Sequence, residues 1–93
     1  MIQTGTVVKE DADFDEVRAR WERTAAIVLT GTRRQLNVSQ QELADRLGWT
    51  RNMVANLESG RRAMRLSDLF MIAEALETSA ELLMQRILTW GEP

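Results

Sequence analysis

Residues Ser39–Gly60 read SQQELADRLGWTRNMVANLESG, and this stretch decides the fold. Ser39 is an N-cap residue, and Glu42 three positions on completes a capping box whose carboxylate reaches back to the Ser39 amide. A helix therefore starts there. Leu43, Ala44 and Leu47 fall on one face of it, while Gln41, Asp45 and Arg46 point away, giving one buried stripe and one wet one. Gly48 stops this helix, because glycine enters the left-handed region at little cost. Thr50 caps a second helix in which Val54 and Leu57 face inward and Arg51, Asn52, Ala55 and Asn56 face outward. Gly60 ends it, and Arg61, Arg62 and Arg65 follow closely. The pattern predicts helices over about 39–47 and about 50–59, joined by a tight turn.

Composition sets the limits around this pair. A chain of 93 residues holds one domain with a modest core and no room for a separate ligand-sensing module. Without Cys or His, disulfides, Cys/His metal sites and thiol or imidazole catalysis are not expected. No enzyme, metal or cofactor chemistry is therefore predicted. No stretch approaches the ~20 apolar residues that span a bilayer, and no basic flank joins an apolar run at the N-terminus. The expectation is a cytoplasmic protein with no membrane partner.

The net charge of −2 hides an uneven distribution. Residues 1 to 16 carry Lys9 against Glu10, Asp11, Asp13, Asp15 and Glu16, a net −4. From Arg33 to Arg65, seven arginines (33, 34, 46, 51, 61, 62, 65) face Glu42, Asp45 and Glu58, a net +4. Residues 66 to 93 set Arg86 against Asp68, Glu74, Glu77, Glu81 and Glu92, again −4. The positive charge thus coincides with the two helices and the loop after them, as a polyanion-binding surface requires.

Read for organisation, the chain divides into an acidic N-terminal arm, residues 1–13, and one domain over residues 14–93. Thr4, Thr6, Val7 and Val8 lean towards extended structure, so the arm is either an edge strand on a partner or, the favoured expectation, disordered. Phe14, Val17, Trp21, Thr24 and Val28 alternate spacings of three and four along a long first helix that leads into Ile27, Leu29 and Leu36. Gly31 inside that helix costs about 1 kcal/mol relative to Ala and marks a kink or break. Asn37 tolerates the left-handed conformation at its end.

At these residues the chain resembles the Cro/repressor-type helix-turn-helix family, also called the xenobiotic response element family. Gln40, Glu42, Leu43 and Ala44 reproduce its Q-x-E-L-A opening, Gly48 its turn glycine, and Leu57, Glu58 and Gly60 the close of its recognition helix. Leu69, Ile72, Ala73, Ala75 and Leu76 look like its L-x-x-I-A-x-A-L helix, and Leu82, Leu83 and Met84 like its last one. The likeness runs from about Ala25 to Met84 and implies an all-α, five-helix, lambda-repressor-like DNA-binding domain, here with an extended first helix.

That resemblance implies roles. Arg51, Asn52, Ala55 and Asn56 stand where family members read bases: Arg suits guanine O6 and N7, Asn suits adenine N6 and N7, and Ala55 suits a thymine methyl. Arg51 fits a phosphate contact nearly as well. Gln40, Thr50, Arg61, Arg62 and Arg65 match phosphate-contacting positions at helix ends. Arg33 and Glu58 match an internal salt bridge, with Arg33 also close to phosphate.

Two residues depart from the family's pattern. Glu77 stands where glycine precedes the last helix, and a non-glycine residue is strained in a left-handed turn. Trp49 replaces a smaller apolar residue in the turn, where it either stacks on a base or, the favoured expectation, caps the core. Outside the likeness, Phe14, Val17, Trp21, Ile87, Leu88 and Trp90 add apolar surface, either packed within one chain or, the favoured arrangement, meeting at a dimer axis. The expected function is a sequence-specific regulator of transcription, a repressor binding a pseudo-palindromic operator on double-stranded DNA as a homodimer. The alternative is the antitoxin half of a toxin pair, in which the arm and the tail around Trp90 hold a protein partner and DNA binding only autoregulates.

Overall fold

The computed structural model describes residues 13–91, so expectations for the arm before Asp13 lie outside the described residues. Five helices follow in order: α1 (Phe14–Gln35), α2 (Gln40–Leu47), α3 (Arg51–Glu58), α4 (Leu66–Ala75) and α5 (Ala80–Gly91), and the architecture is all-α. Their starts are set by side chains that satisfy otherwise orphaned amides. Asp13 Oδ1 accepts from the Asp15 and Glu16 amides, Thr50 Oγ1 from Met53 at 3.2 Å and Ser79 Oγ from Leu82 at 2.9 Å. At α2 the capping box is complete: Ser39 Oγ accepts from the Glu42 amide at 3.0 Å, and Glu42 Oε1 accepts from the Ser39 amide at 2.9 Å.

Four helix ends close in one way. The amides of Val38, Trp49, Arg61 and Thr78 each donate to the carbonyl five residues back, those of Arg33, Ala44, Asn56 and Ala73. That closure needs a left-handed residue just before the donor. Gly48 and Gly60 supply it at two ends; Asn37, with φ 58°, and Glu77, with φ 56°, supply it at the others. The strain expected at Glu77 is therefore real. The break expected at Gly31 is absent: α1 runs through it as one helix of 22 residues. Buried Val28, Leu29, Thr32 and Arg33 on either side of Gly31 hold the helical path, which outweighs the glycine's intrinsic preference.

The core gathers one face of every helix. Ile72, Leu83 and Val54 are its largest fully buried side chains, with Leu29, Leu43, Ala44 and Leu57 around them. Burying each Leu or Ile contributes about 1.5 to 3 kcal/mol, the main term holding these short helices together. Packed pairs are α1 with α5, α2 with α3 and α4, α4 with α5, and α1 with α3. Trp21 extends the α1–α5 contact to the end of α5, where its ring lies against Gly91. None of the described helices is long and apolar enough to cross a membrane.

Candidate nucleic-acid interface

The two central helices keep one face in the core and one open. Buried Val54 and Leu57 turn Arg51 and Asn52 into solvent in the first turn of α3. That turn also presents the free amides and positive dipole end of the helix. Ala55 and Asn56, further along, are half-buried on its flank. The Asn56 carbonyl accepts from the amides of Arg61 and Arg62, at 2.9 and 3.0 Å, and from Ser59 Oγ at 3.2 Å. Through its backbone, Asn56 anchors the loop that carries the three arginines.

Those arginines differ in environment. Arg61 and Arg65 are exposed. Arg62 is half-buried: its guanidinium lies over the Trp49 ring, 4.6 Å from the centroid, and its Nη2 stands 3.7 Å from Asp68 Oδ1. Trp49 is itself half-buried and packs on the core. Asp68 is 4% exposed, and its Oδ2 accepts from the Arg65 amide at 3.0 Å.

Behind this face, Arg33 of α1 reaches Glu58 at the end of α3, with Nε to Oε2 at 2.7 Å and Nη2 to Oε1 at 3.0 Å. Its Nη1 donates to the Val38 carbonyl at 2.7 Å. Arg33 is buried with all three nitrogens engaged in the chain, so its charge is met internally by Glu58. Gln40 joins the same cluster through Nε2 to Glu58 Oε1 at 2.9 Å, a contact the sequence did not indicate. Nor did the sequence indicate that Arg46 would cap α4 by donating from Nη1 to the Ala75 carbonyl at 2.8 Å. No local spacing links residues this far apart in the chain.

The outlying apolar residues separate into two groups. Trp21 and Ile87 are half-buried within the chain, the first against Gly91 and the second on the core. Val17 is half-buried as well, whereas Phe14, Leu88 and Trp90 are exposed. Exposed Ile27 and Leu82 join Trp90 along an open groove of about 600 Å³ between α1 and α5. Among the described residues no cluster of three or more His, Cys, Asp or Glu could hold a metal ion.

A helix-turn-helix family profile matches residues 32–83, from the last turn of α1 into α5. This chain belongs to the Cro/repressor-type helix-turn-helix family of DNA-binding transcription regulators. Its fold is similar to that of the wild-type restriction-modification controller protein C.Esp1396I, with a TM-score of 0.71 at 18% identity, over 75% of this chain and 91% of that one. The tetramer of that protein in complex with its natural 35 base-pair operator matches with a TM-score of 0.72 at 18% identity, over 76% and 93% of the two chains. The clp gene regulator ClgR from C. glutamicum matches with a TM-score of 0.70 at 20% identity, over 74% and 90%. At these identities the likeness is one of fold. No curated protein matches the sequence.

Proposed function

We propose that the chain is a repressor that binds a pseudo-palindromic operator on double-stranded DNA as a homodimer. The observation that carries this reading is the first turn of α3, where Arg51 and Asn52 are exposed beside the free amides of the helix, with Arg61 and Arg65 exposed in the loop that follows it. A major groove admits such a helix and meets its N-terminal half. Arg51 and Asn52, with Asn56 and Ala55 on the flank, are the proposed base contacts. Arg61 and Arg65, with Gln40 and Thr50 at the starts of α2 and α3, are the proposed phosphate contacts, which position the helix without selecting a sequence.

Two copies are proposed because one short recognition helix reads few base pairs, whereas half-sites about one helical turn apart multiply affinity. The similar controller protein supports assembly on an operator, since one of its solved forms is a tetramer on natural operator DNA. Exposed Phe14, Leu88 and Trp90 supply apolar surface for the contact between copies. No catalytic role is proposed.

Selection of bound fragments from genomic DNA, followed by footprinting and sedimentation of the complex, tests the reading. The expected result is a shared sequence with two-fold related halves, each protected by one copy, and lower transcription from the adjoining promoter when the protein is present. Fragments with no common sequence, or a single copy on a single site, would overturn it.

A further inference from the structure

Arg62 makes three of the ties that shape the loop after α3. Its amide donates to the Asn56 carbonyl, its guanidinium covers the Trp49 ring, and its Nη2 faces Asp68 Oδ1. The other oxygen of Asp68 takes the Arg65 amide, so one buried carboxylate gathers the loop from two points. Trp49 immediately precedes the N-cap of α3, and Arg62 follows its last turn, so the stack joins the two ends of that helix. Met64 tucks against the core within the same loop, while Arg61 and Arg65 point to solvent.

We propose that Arg62 is a positioning residue rather than a phosphate contact: the Trp49–Arg62–Asp68 stack holds the loop so that Arg61 and Arg65 meet the DNA backbone. The assignment rests on the DNA-binding reading above. A guanidinium suits this place because it is planar: one face lies on the indole while its edge turns to a carboxylate. An ammonium offers no flat face and keeps its hydration more tightly, so Lys does not replace it. Asp68 offsets the charge of Arg62 at short range, which leaves less of it for a phosphate than Arg61 and Arg65 retain. The Trp49 ring packs on the core and also carries the Arg62 guanidinium, so the large aromatic in the turn serves both.

A residue that acts through others loses its effect when those others are gone. Binding to a random-sequence duplex at low salt, followed by fluorescence anisotropy, measures this without knowledge of the operator. In the otherwise unchanged protein, Arg62→Ala and Trp49→Leu should each weaken binding several-fold, and the two together no more than either alone. In a background of Arg61→Ala and Arg65→Ala, both changes should leave binding as it was. Arg62→Lys, which keeps the charge, should behave as Trp49→Leu does. Circular dichroism establishes that each variant is folded, and where Arg62→Ala is not, Trp49→Leu carries the cycle alone. An Arg62→Ala loss of equal size in both backgrounds, full binding by Arg62→Lys, or no effect of Trp49→Leu would overturn the assignment. A parent protein without salt-dependent duplex binding would overturn the DNA-binding reading itself, and this inference with it.

Discussion

Arg33 and Glu58 meet face to face, two nitrogens to two oxygens, and join the end of α1 to the end of α3. Both side chains are more than nine-tenths buried, so the pair is shielded from water and from salt. Its value lies in orientation: α3 cannot turn about its axis without parting the two, and that axis aims Arg51 and Asn52.

Because the pair is buried, removing one partner is worse than removing both. Glu58→Ala leaves the Arg33 guanidinium buried and uncompensated, and should lower unfolding free energy by about 3 to 5 kcal/mol. Arg33→Met with Glu58→Leu should be markedly less harmful. Urea denaturation of the two variants beside the parent decides the order, and a double variant as unstable as Glu58→Ala would contradict it.

Glu77 occupies the left-handed region at φ 56° with its side chain exposed, so replacing it removes strain and little else. Glu77→Gly should raise stability by about 1 kcal/mol. Asn37→Gly, at φ 58°, should gain less, since Asn adopts this conformation more readily than Glu. Thermal unfolding midpoints of both variants give the comparison, with a loss of stability in Glu77→Gly as the contrary outcome.

The two outlying tryptophans should separate folding from assembly. Trp21 lies on Gly91 within the chain, whereas Trp90 is 66% exposed. Trp21→Ala should destabilise the fold by about 3 kcal/mol or somewhat less, given its half-buried ring. Trp90→Ala should leave the unfolding of the isolated chain almost unchanged and shift sedimentation at micromolar concentration towards monomer. A parent that already sediments as a monomer, or a Trp90→Ala variant as dimeric as the parent, would remove Trp90 from the interface.

Base reading by α3 predicts local changes in site preference. Asn52→Ala should relax or alter the preferred base at one position of each half-site at a cost of about 1 to 3 kcal/mol, with little change on unrelated duplex. Asn56→Ala should do the same at a neighbouring position, and its backbone contacts to the loop should survive the substitution. Repeated selection of binding sites with each variant tests this, and unchanged preferences in both would move base reading to other residues.

The capping box at α2 makes one contribution pH-dependent. The Ser39 amide, and after it the Ser39 hydroxyl, hydrogen-bond the Glu42 carboxylate and hold its pKa below the ordinary value. In the folded state the group therefore stays ionised at pH values where the unfolded chain binds a proton. Its stabilising effect is complete above the unfolded pKa and fades as pH falls through the lowered folded one. Glu42→Gln retains an acceptor for the amide but does not titrate, so its acid unfolding should show a shallower dependence on pH across that window. An unchanged slope would mean that the box does not sense pH.

The central helices were legible in the sequence because their causes are local. Ser39, Glu42 and Thr50 cap from within a few residues, Gly48 turns the chain where it stands, and the apolar spacing of Leu43, Ala44, Leu47, Val54 and Leu57 marks the inner face without knowledge of what covers it. The all-α, five-helix class came with the family resemblance that these residues carry. The link between Arg33 and Glu58 came from family resemblance, since no periodicity joins two helices across a turn. What only the tertiary structure decided is which partner each long side chain takes. Arg46 finds the Ala75 carbonyl, Arg62 lies between the Trp49 ring and Asp68, the Trp21 ring lies against Gly91, and α1 continues through Gly31. Such choices depend on packing between segments far apart in sequence, where free energies of a few kcal/mol are set by neighbours that local patterns do not name.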